Sequence, residues 1–385
     1  MINRRNQGGI LCGLLLTAIL LNGCSGSAKL PAAATTIEAK ATTPANAKPA
    51  IAPIDKTTLR VTIAATGDIM LGSDYPEDRL PDDDGAAFLA SVTAELQSAD
   101  IVFGNLEGVL MDGGEPEKTC QNPKACYLFR TPSRYAAHLA SAGFDVMSLA
   151  NNHAVDFGEA GRDASMRALQ AVGILHSGRE GDVALWSRGD LSYALIAFSP
   201  TRGSHDLLDY EKYLPQIREL AAINDIVIVS FHGGAEGADG GERLGFGMEY
   251  AYGEKRGDVV AFAHAMIDAG ADLVIGHGPH IPRAIEIYKD RAIAYSLGNF
   301  ATYYGISVSD TKGYAPVLRV ELDGTGKLIG GSVASYIQVR PGGPQPDTQQ
   351  RAWKMISELS LLDFPDANIR LSPDGRFDAG NGESL

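Results

Sequence analysis

The sequence predicts an α/β fold with two sheets at its centre and helices outside, on three observations. From Leu59 onward, apolar runs of strand length alternate with segments of helical period. Past about residue 281 the alternation gives way to strands joined by turns. Five strand ends also carry Asp, Glu, Asn and His in short turn-like segments, as they would if one crevice gathered the carboxyl ends of the strands.

The elements follow in chain order. Leu59–Thr66 reads as a strand. Ala86–Ser98 reads as a helix, because Phe88, Leu89, Val92 and Leu96 keep the 3.6-residue period. Ile101–Phe103 and Val146–Leu149 are strands on either side of a helix at Ser133–Ala142, which Pro132 starts and Gly143 closes. Glu159–Val172 is a helix closed by Gly173. Tyr193–Phe198 and Ile226–Phe231 are strands around a helix near Glu211–Ala222. Arg256–Ala269 is a helix closed by Gly270, and Leu273–Ile275 a strand. Ile281–Tyr288, Ala292–Leu297, Val317–Leu322 and Ser332–Gln338 then read as an antiparallel meander with turns such as Lys289-Asp290 and Asp323-Gly324. No internal repeat is evident.

The amino-terminal segment reads as an address. Arg4 and Arg5 precede an apolar run from Ile10 to Leu21, which ends at Leu21-Asn22-Gly23-Cys24. That pattern is a lipoprotein-type signal peptide over residues 1–23, with Cys24 left as the lipidated terminus. The apolar run is short of the roughly 20 residues that span a bilayer. Ser25 in place of Asp points to an outer membrane where the host has one. Residues 24–58, rich in Ala, Thr, Pro and Lys without apolar period, read as a flexible tether. One large domain is expected over 59–340, and a carboxyl-terminal extension with one helix over 341–385. Cys120 and Cys126 read as a local disulfide in an exported chain, since no His or third Cys lies near enough to complete a zinc clip. The formal charge of −14, with no basic stripe, argues against a nucleic-acid partner.

The chemistry sits in the five strand-end segments, which hold four of the eight histidines. Asp68 follows Gly67 at the end of the first strand, where a carboxylate serves as a hard metal ligand or caps a turn. Glu107 follows Gly104-Asn105 and could bridge two ions or simply be solvated. Asn105 and Asn151 are candidate substrate contacts, although Asn105 could do no more than satisfy loop backbone groups. Asn152 offers a carbonyl oxygen to a metal, and His153 beside it can face substrate. Asp156 either orients His153 or caps the following helix. His232 ends an apolar strand, and Glu236 follows its glycines as a further substrate candidate. Glu249 lies later in the same glycine-rich stretch and could stand in for Glu236. His277 and His280 flank Gly278-Pro279, so both can turn toward one point. His138 and His264, inside helices, are expected to be structural. His176 and His205, in loops, are expected to be exposed.

Taken in order, GDIML, GNLEG, AGFDVMSLANNHAVDFG, DAGADLVIGHGPH and IAYSLGNF resemble the CapA family of capsule and poly-gamma-glutamate synthesis proteins. That family is similar to the calcineurin-like metallophosphoesterases. The resemblance implies a four-layer αββα sandwich with a two-metal cleft. Asp68, Glu107, Asn152, His232, His277 and His280 would be ligands for Mn, Zn or Fe, and His153 would protonate a leaving oxygen. It implies an envelope-anchored protein of surface-polymer synthesis or export with a hydrolase-like, phosphoesterase-type site, or else a non-catalytic polymer-binding subunit. Its expected partners are an anionic surface polymer or a phosphoester substrate, together with membrane polymer-synthesis subunits. Met70 stands where phosphoesterases place a further histidine, and Gly233 where the family usually has Trp.

Overall fold

The computed structural model describes residues 54–119, 127–236 and 241–380. The signal segment, Cys24, and the Cys120–Cys126 pair lie outside the described residues. In chain order the strands begin with β1 (Arg60–Met70), β2 (Ile101–Leu106), β3 (Val109–Leu110), β4 (Arg130–Thr131), β5 (Val146–Ser148) and β6 (Leu175–Ser177). They continue with β7 (Ala184–Arg188), β8 (Leu191–Ser199), β9 (His205–Asp206), β10 (Ile226–His232), β11 (Glu249–Ala251), β12 (Glu254–Gly257) and β13 (Leu273–His277). The last are β14 (Ile285–Tyr288), β15 (Arg291–Ala294), β16 (Asn299–Thr302), β17 (Tyr314–Asp323), β18 (Leu328–Gln338), β19 (Pro344–Pro346), β20 (Ile369–Leu371) and β21 (Arg376–Ala379). The helices are α1 (Ala90–Leu96), α2 (Ala136–Ala142), α3 (Gly158–Ala171), α4 (Leu214–Ile223), α5 (Val259–Ala269) and α6 (Arg351–Asp363).

Two sheets carry the fold. The first runs β20-β21-β18-β17-β1-β2-β5-β6, with β16 also on β1 and β19 on β18. The second runs β14-β15-β13-β10-β8-β7, with β9 on β8. The layers follow from which apolar faces meet. Ile63, Phe103, Val146, Leu195, Ile228 and Ile275 share one buried core, so the two sheets pack face to face. The outer face of the first sheet is covered by Val92 and Leu96 of α1, Leu139 of α2 and Leu169 of α3. The outer face of the second is covered by Ile217 of α4 and by Phe262, Ala263 and Met266 of α5. The result is the expected αββα order.

Three differences from the sequence reading have physical causes. The late strands do not form one meander. The β14–β15 hairpin joins the second sheet, where β15 lies parallel to β13, whereas β17 and β18 join the first. The chain changes sheets through β16, which pairs parallel with β1. Arg256 belongs to a strand, and α5 begins at Val259 because the Asp258 carboxylate accepts from Ala261 N and caps it there. His176 and His205 are buried: His176 bonds to Asp182, and His205 to the carbonyl of Ala197. They sit in strands of two or three residues, too short to show a period. His138 and His264 bond to the Asp84 carbonyl and to Glu286, in keeping with structural roles.

Residues after 340 are woven into the same unit. Trp353 and Ile356 of α6 enter the core between the sheets, and β20 and β21 extend the first sheet. Before β1, Lys56–Thr58 forms a turn capped by Asp55.

Candidate metal centre

The carboxyl ends of β1, β2, β5, β10 and β13 converge, and their following turns build one buried polar cluster. At the end of β1 the pairing slips against both β2 and β16 around Thr66–Asp68. Such an irregularity re-aims a side chain. Here it delivers Asp68, fully buried, beneath His280. Gly67 is required at this point, because a Cβ would lie 2.0 Å from the Gly298 carbonyl oxygen. Gly278, at φ +117°, sits against the Gly233 main chain and turns the segment between His277 and His280. His280 itself has φ +61°, in the left-handed region that β-carbon sterics disfavour.

His280 is the hub. Its Nδ1 lies 3.1 Å from Asp68 Oδ2 and 2.9 Å from Asn299 Oδ1. Its Nε2 lies 3.2 Å from Glu236 Oε2 and 3.7 Å from Glu107 Oε1. Asn105 Nδ2 donates to Asp68 Oδ1 at 2.8 Å. His232 and His277 are register partners on adjacent parallel strands, and both are buried. The His277 Nε2 lies 3.1 Å from the Thr66 carbonyl oxygen, which ties the second sheet to the first. Asp68, Glu107 and His280 present ligand atoms within 4.8 Å of one another.

Several polar atoms of this cluster are buried without a hydrogen-bond partner among the described residues: both Glu107 oxygens, both ring nitrogens of His232 and Nδ1 of His277; so is Asn152 Oδ1, in the turn after β5. Orphaned buried polar atoms of this kind are costly. Carboxylate, amide oxygen and imidazole in one place are the donor set that Mn, Zn and Fe accept, so the residues fit a divalent cation.

The electrostatics agree. Burial, with Asp68 alongside, pushes the Glu107 carboxyl well above its ordinary value. Burial opposes ionisation of Asp68, yet His280, His232 and His277 hold it below the usual carboxylate range. Burial likewise opposes charge on His280, but Glu107, Asp68 and Glu236 together raise it well above the ordinary histidine value. His232 is driven by burial down to about 3, so it stays neutral, with one ring nitrogen's lone pair available.

A second group adjoins the cluster. His153 Nδ1 lies 2.7 Å from Asp156 Oδ2, and the imidazole stacks on Phe129 with ring centroids 4.2 Å apart. Phe129 N also donates to Asp156 Oδ2, at 2.9 Å. Asp156 therefore braces His153. It does not cap α3, whose N-cap, Phe157, makes no side-chain bond. Burial lowers the His153 pKa.

Asn105 and Asn151, expected at the substrate, are fully buried and bonded to protein. Asn151 Nδ2 donates to the Leu106 carbonyl at 2.7 Å, and its Oδ1 accepts from His153 N at 3.1 Å. Glu236 lies against His280 and is held by Arg256 at 2.9 Å. Burial opposes its ionisation, but His280 and Arg256 bring its pKa down to about 2. Glu249 does not replace it; its carboxylate is taken by Arg283 at 2.8 Å and by Ala235 N. Sequence reasoning missed Asn299, Arg256 and Lys118. Asn299 lies in the IAYSLGNF segment, so its place at the end of an apolar run was a signal. Arg256 and Lys118 gave none.

The family described as bacterial capsule synthesis protein PGA_cap matches residues 62–304. The PGA biosynthesis protein CapA of Bacillus subtilis (strain 168) is 29% identical over 251 residues, covering 61% of this chain and 61% of that protein. The match thus spans less than two thirds of that relative's length. The capsule biosynthesis protein CapA of Bacillus anthracis is 26% identical over 322 residues, covering 78% of this chain and 72% of that protein. Among solved structures, the 5'-nucleotidase precursor from Thermus thermophilus aligns with a TM-score of 0.39 and 14% identity, over 80% of this chain and 59% of that chain.

Proposed function

The chain belongs to the bacterial capsule synthesis protein family, and from that premise we propose that it acts in making or exporting a capsule or poly-gamma-glutamate type surface polymer through a metal-dependent, hydrolase-like cleft. The observation that carries this reading is the set of buried polar atoms on Glu107, Asn152, His232 and His277 that no described residue satisfies. With Asp68 and His280 they would hold one or two divalent ions of Mn, Zn or Fe. Such an ion supplies Lewis-acid polarisation of a substrate phosphoryl or carbonyl oxygen.

The chain's own residues do the remainder. Asn105 fixes Asp68, and Asn299 fixes the His280 ring. Asp156 accepts from His153 Nδ1–H, which leaves Nε2 as the nitrogen that would take up a proton and pass it to a leaving oxygen. The substrate is an anionic surface polymer or a phosphoester in the envelope, and membrane subunits of polymer synthesis are the partners. The apolar leader ending at Cys24 supports export and a lipid anchor on the membrane.

Metal content of the purified protein, measured with a broad phosphoester screen and with polymer yield in a deletion strain, tests the reading. Bound divalent metal, turnover of a phosphoester and lost polymer on deletion are expected. Protein that takes up no divalent ion under any condition would remove the hydrolase-like reading. Metal binding with no turnover would leave a polymer-binding subunit.

A further inference from the structure

Lys118 lies in the loop after β3 and reaches the His153 group. Its Nζ is 2.8 Å from Asp156 Oδ1, 3.1 Å from the Asn152 carbonyl oxygen and 3.5 Å from His153 Nδ1. The main chain of the same loop reinforces the contact, since Glu117 N and Lys118 N both donate to the Asp156 carbonyl, at 3.0 and 3.1 Å. The Asp156 side chain is fully buried, while 27% of the Lys118 side chain is exposed.

These contacts divide the Asp156 carboxylate. Oδ2 is taken by His153 Nδ1 and Phe129 N, while among the described residues Oδ1 has the ammonium as its ion-pair partner and no hydrogen bond. A buried carboxylate needs a fixed positive neighbour. Without Lys118 the carboxylate is free to turn or to take a proton, and the imidazole loses the acceptor that sets its tautomer. The same ammonium holds the Asn152 main chain, whose side-chain oxygen is buried without a hydrogen-bond partner among the described residues.

We propose that Lys118 is a positioning residue of this site: one ammonium locks Asp156 and the Asn152 main chain together, and so fixes the His153 ring with Nδ1–H toward Asp156. The inference rests on the hydrolase-like reading for its kinetic consequence but not for its structural one.

The test compares wild type, Lys118→Met and Lys118→Arg as full-length protein. Metal content, kcat and KM on a phosphoester found in the screen, and nitrogen-15 histidine NMR are measured on each. Lys118→Met is expected to keep its metal and its KM within about threefold. Its kcat should fall roughly 10- to 100-fold, the usual cost of losing a partner behind a functional histidine. The single Nδ1–H signal of His153 should give way to mixed tautomers, and Lys118→Arg should recover most of both effects. A rise in KM alone would make Lys118 a substrate contact and overturn the proposal. An unchanged His153 signal in Lys118→Met would also overturn it. If no phosphoester is turned over, the reading of function fails while the NMR comparison still decides the role of Lys118. Should Lys118→Met not fold, Lys118→Gln, which is uncharged and still able to donate to the Asn152 carbonyl, carries the same comparison with the same deciding outcomes.

Discussion

His280 gathers Asp68, Glu107, Glu236 and Asn299 around one imidazole, while its backbone holds a left-handed conformation. A non-glycine residue in that region costs on the order of 1–3 kcal/mol and persists where the surroundings over-determine it. His277 and His153 should separate binding from chemistry. His277→Ala is expected to lose metal, and function with it, because His277 Nδ1 is one of the orphaned donors. His153→Ala should retain metal and slow turnover roughly 100- to 10,000-fold, the worth of a positioned proton donor. Metal analysis and turnover on both variants check this, and equal metal loss in the two would count against it. The candidate ligand residues were legible because each closes an apolar strand with a turn-forming neighbour. Lys118 was not legible, because a lysine in a polar loop has no periodicity and its partner Asp156 is far along the chain.

Two buried arginines hold the described residues between Gly233 and Gly257. Arg283, buried, donates to Glu249 at 2.8 Å and to the Gly241 carbonyl at 2.9 Å, and Arg256 of β12 grips Glu236. Removing one partner of a buried ion pair leaves the other uncompensated, at about 3–5 kcal/mol. Arg283→Met should therefore lower unfolding stability by that order in denaturant titration, and adding Glu249→Gln should restore part of it. No recovery in the double variant would show that Arg283 acts through packing instead.

A second pair ties β10 to β13. Asp272 accepts from Val227 N and pairs with Arg291 at 2.9 Å. Burial outweighs both contacts and pushes its pKa up to about 6. A raised folded-state pKa favours the folded state when the group is protonated. The contribution is full below the unfolded value near 4 and is lost as pH rises through 6. It amounts to about 2–3 kcal/mol. The stability difference between Asp272→Asn and wild type should accordingly shift toward the variant between pH 4 and 7. A difference that is flat with pH would refute the assignment.

At the scale of the molecule, the described chain enters next to Asp225, whose carboxylate pairs with Lys56 just before β10. The candidate metal centre lies at the other end of that strand, at His232. Replacing Cys24 by Ser should release the protein from the membrane, because a diacylated cysteine supplies the two-chain anchor that stable attachment needs. Fractionation checks it, and a Cys24→Ser protein that stays with the membrane after normal processing would sink the lipoprotein reading.

The sequence by itself determined the layer chemistry: apolar strand runs, helices of regular period, and ligands at the strand ends. Each is a local property, set by side-chain period and by the turn residue that follows. Tertiary structure alone decided which sheet each late strand joins. A strand buried on both faces reads the same in either sheet, and only non-local pairing separates β15 on β13 from β17 on β1. The contacts that make a site of separate motifs were likewise decided there. His277 meets the Thr66 carbonyl and His280 meets Asp68 across more than 200 residues of chain. No local pattern encodes such contacts, because they arise only when the two sheets close their apolar faces on each other.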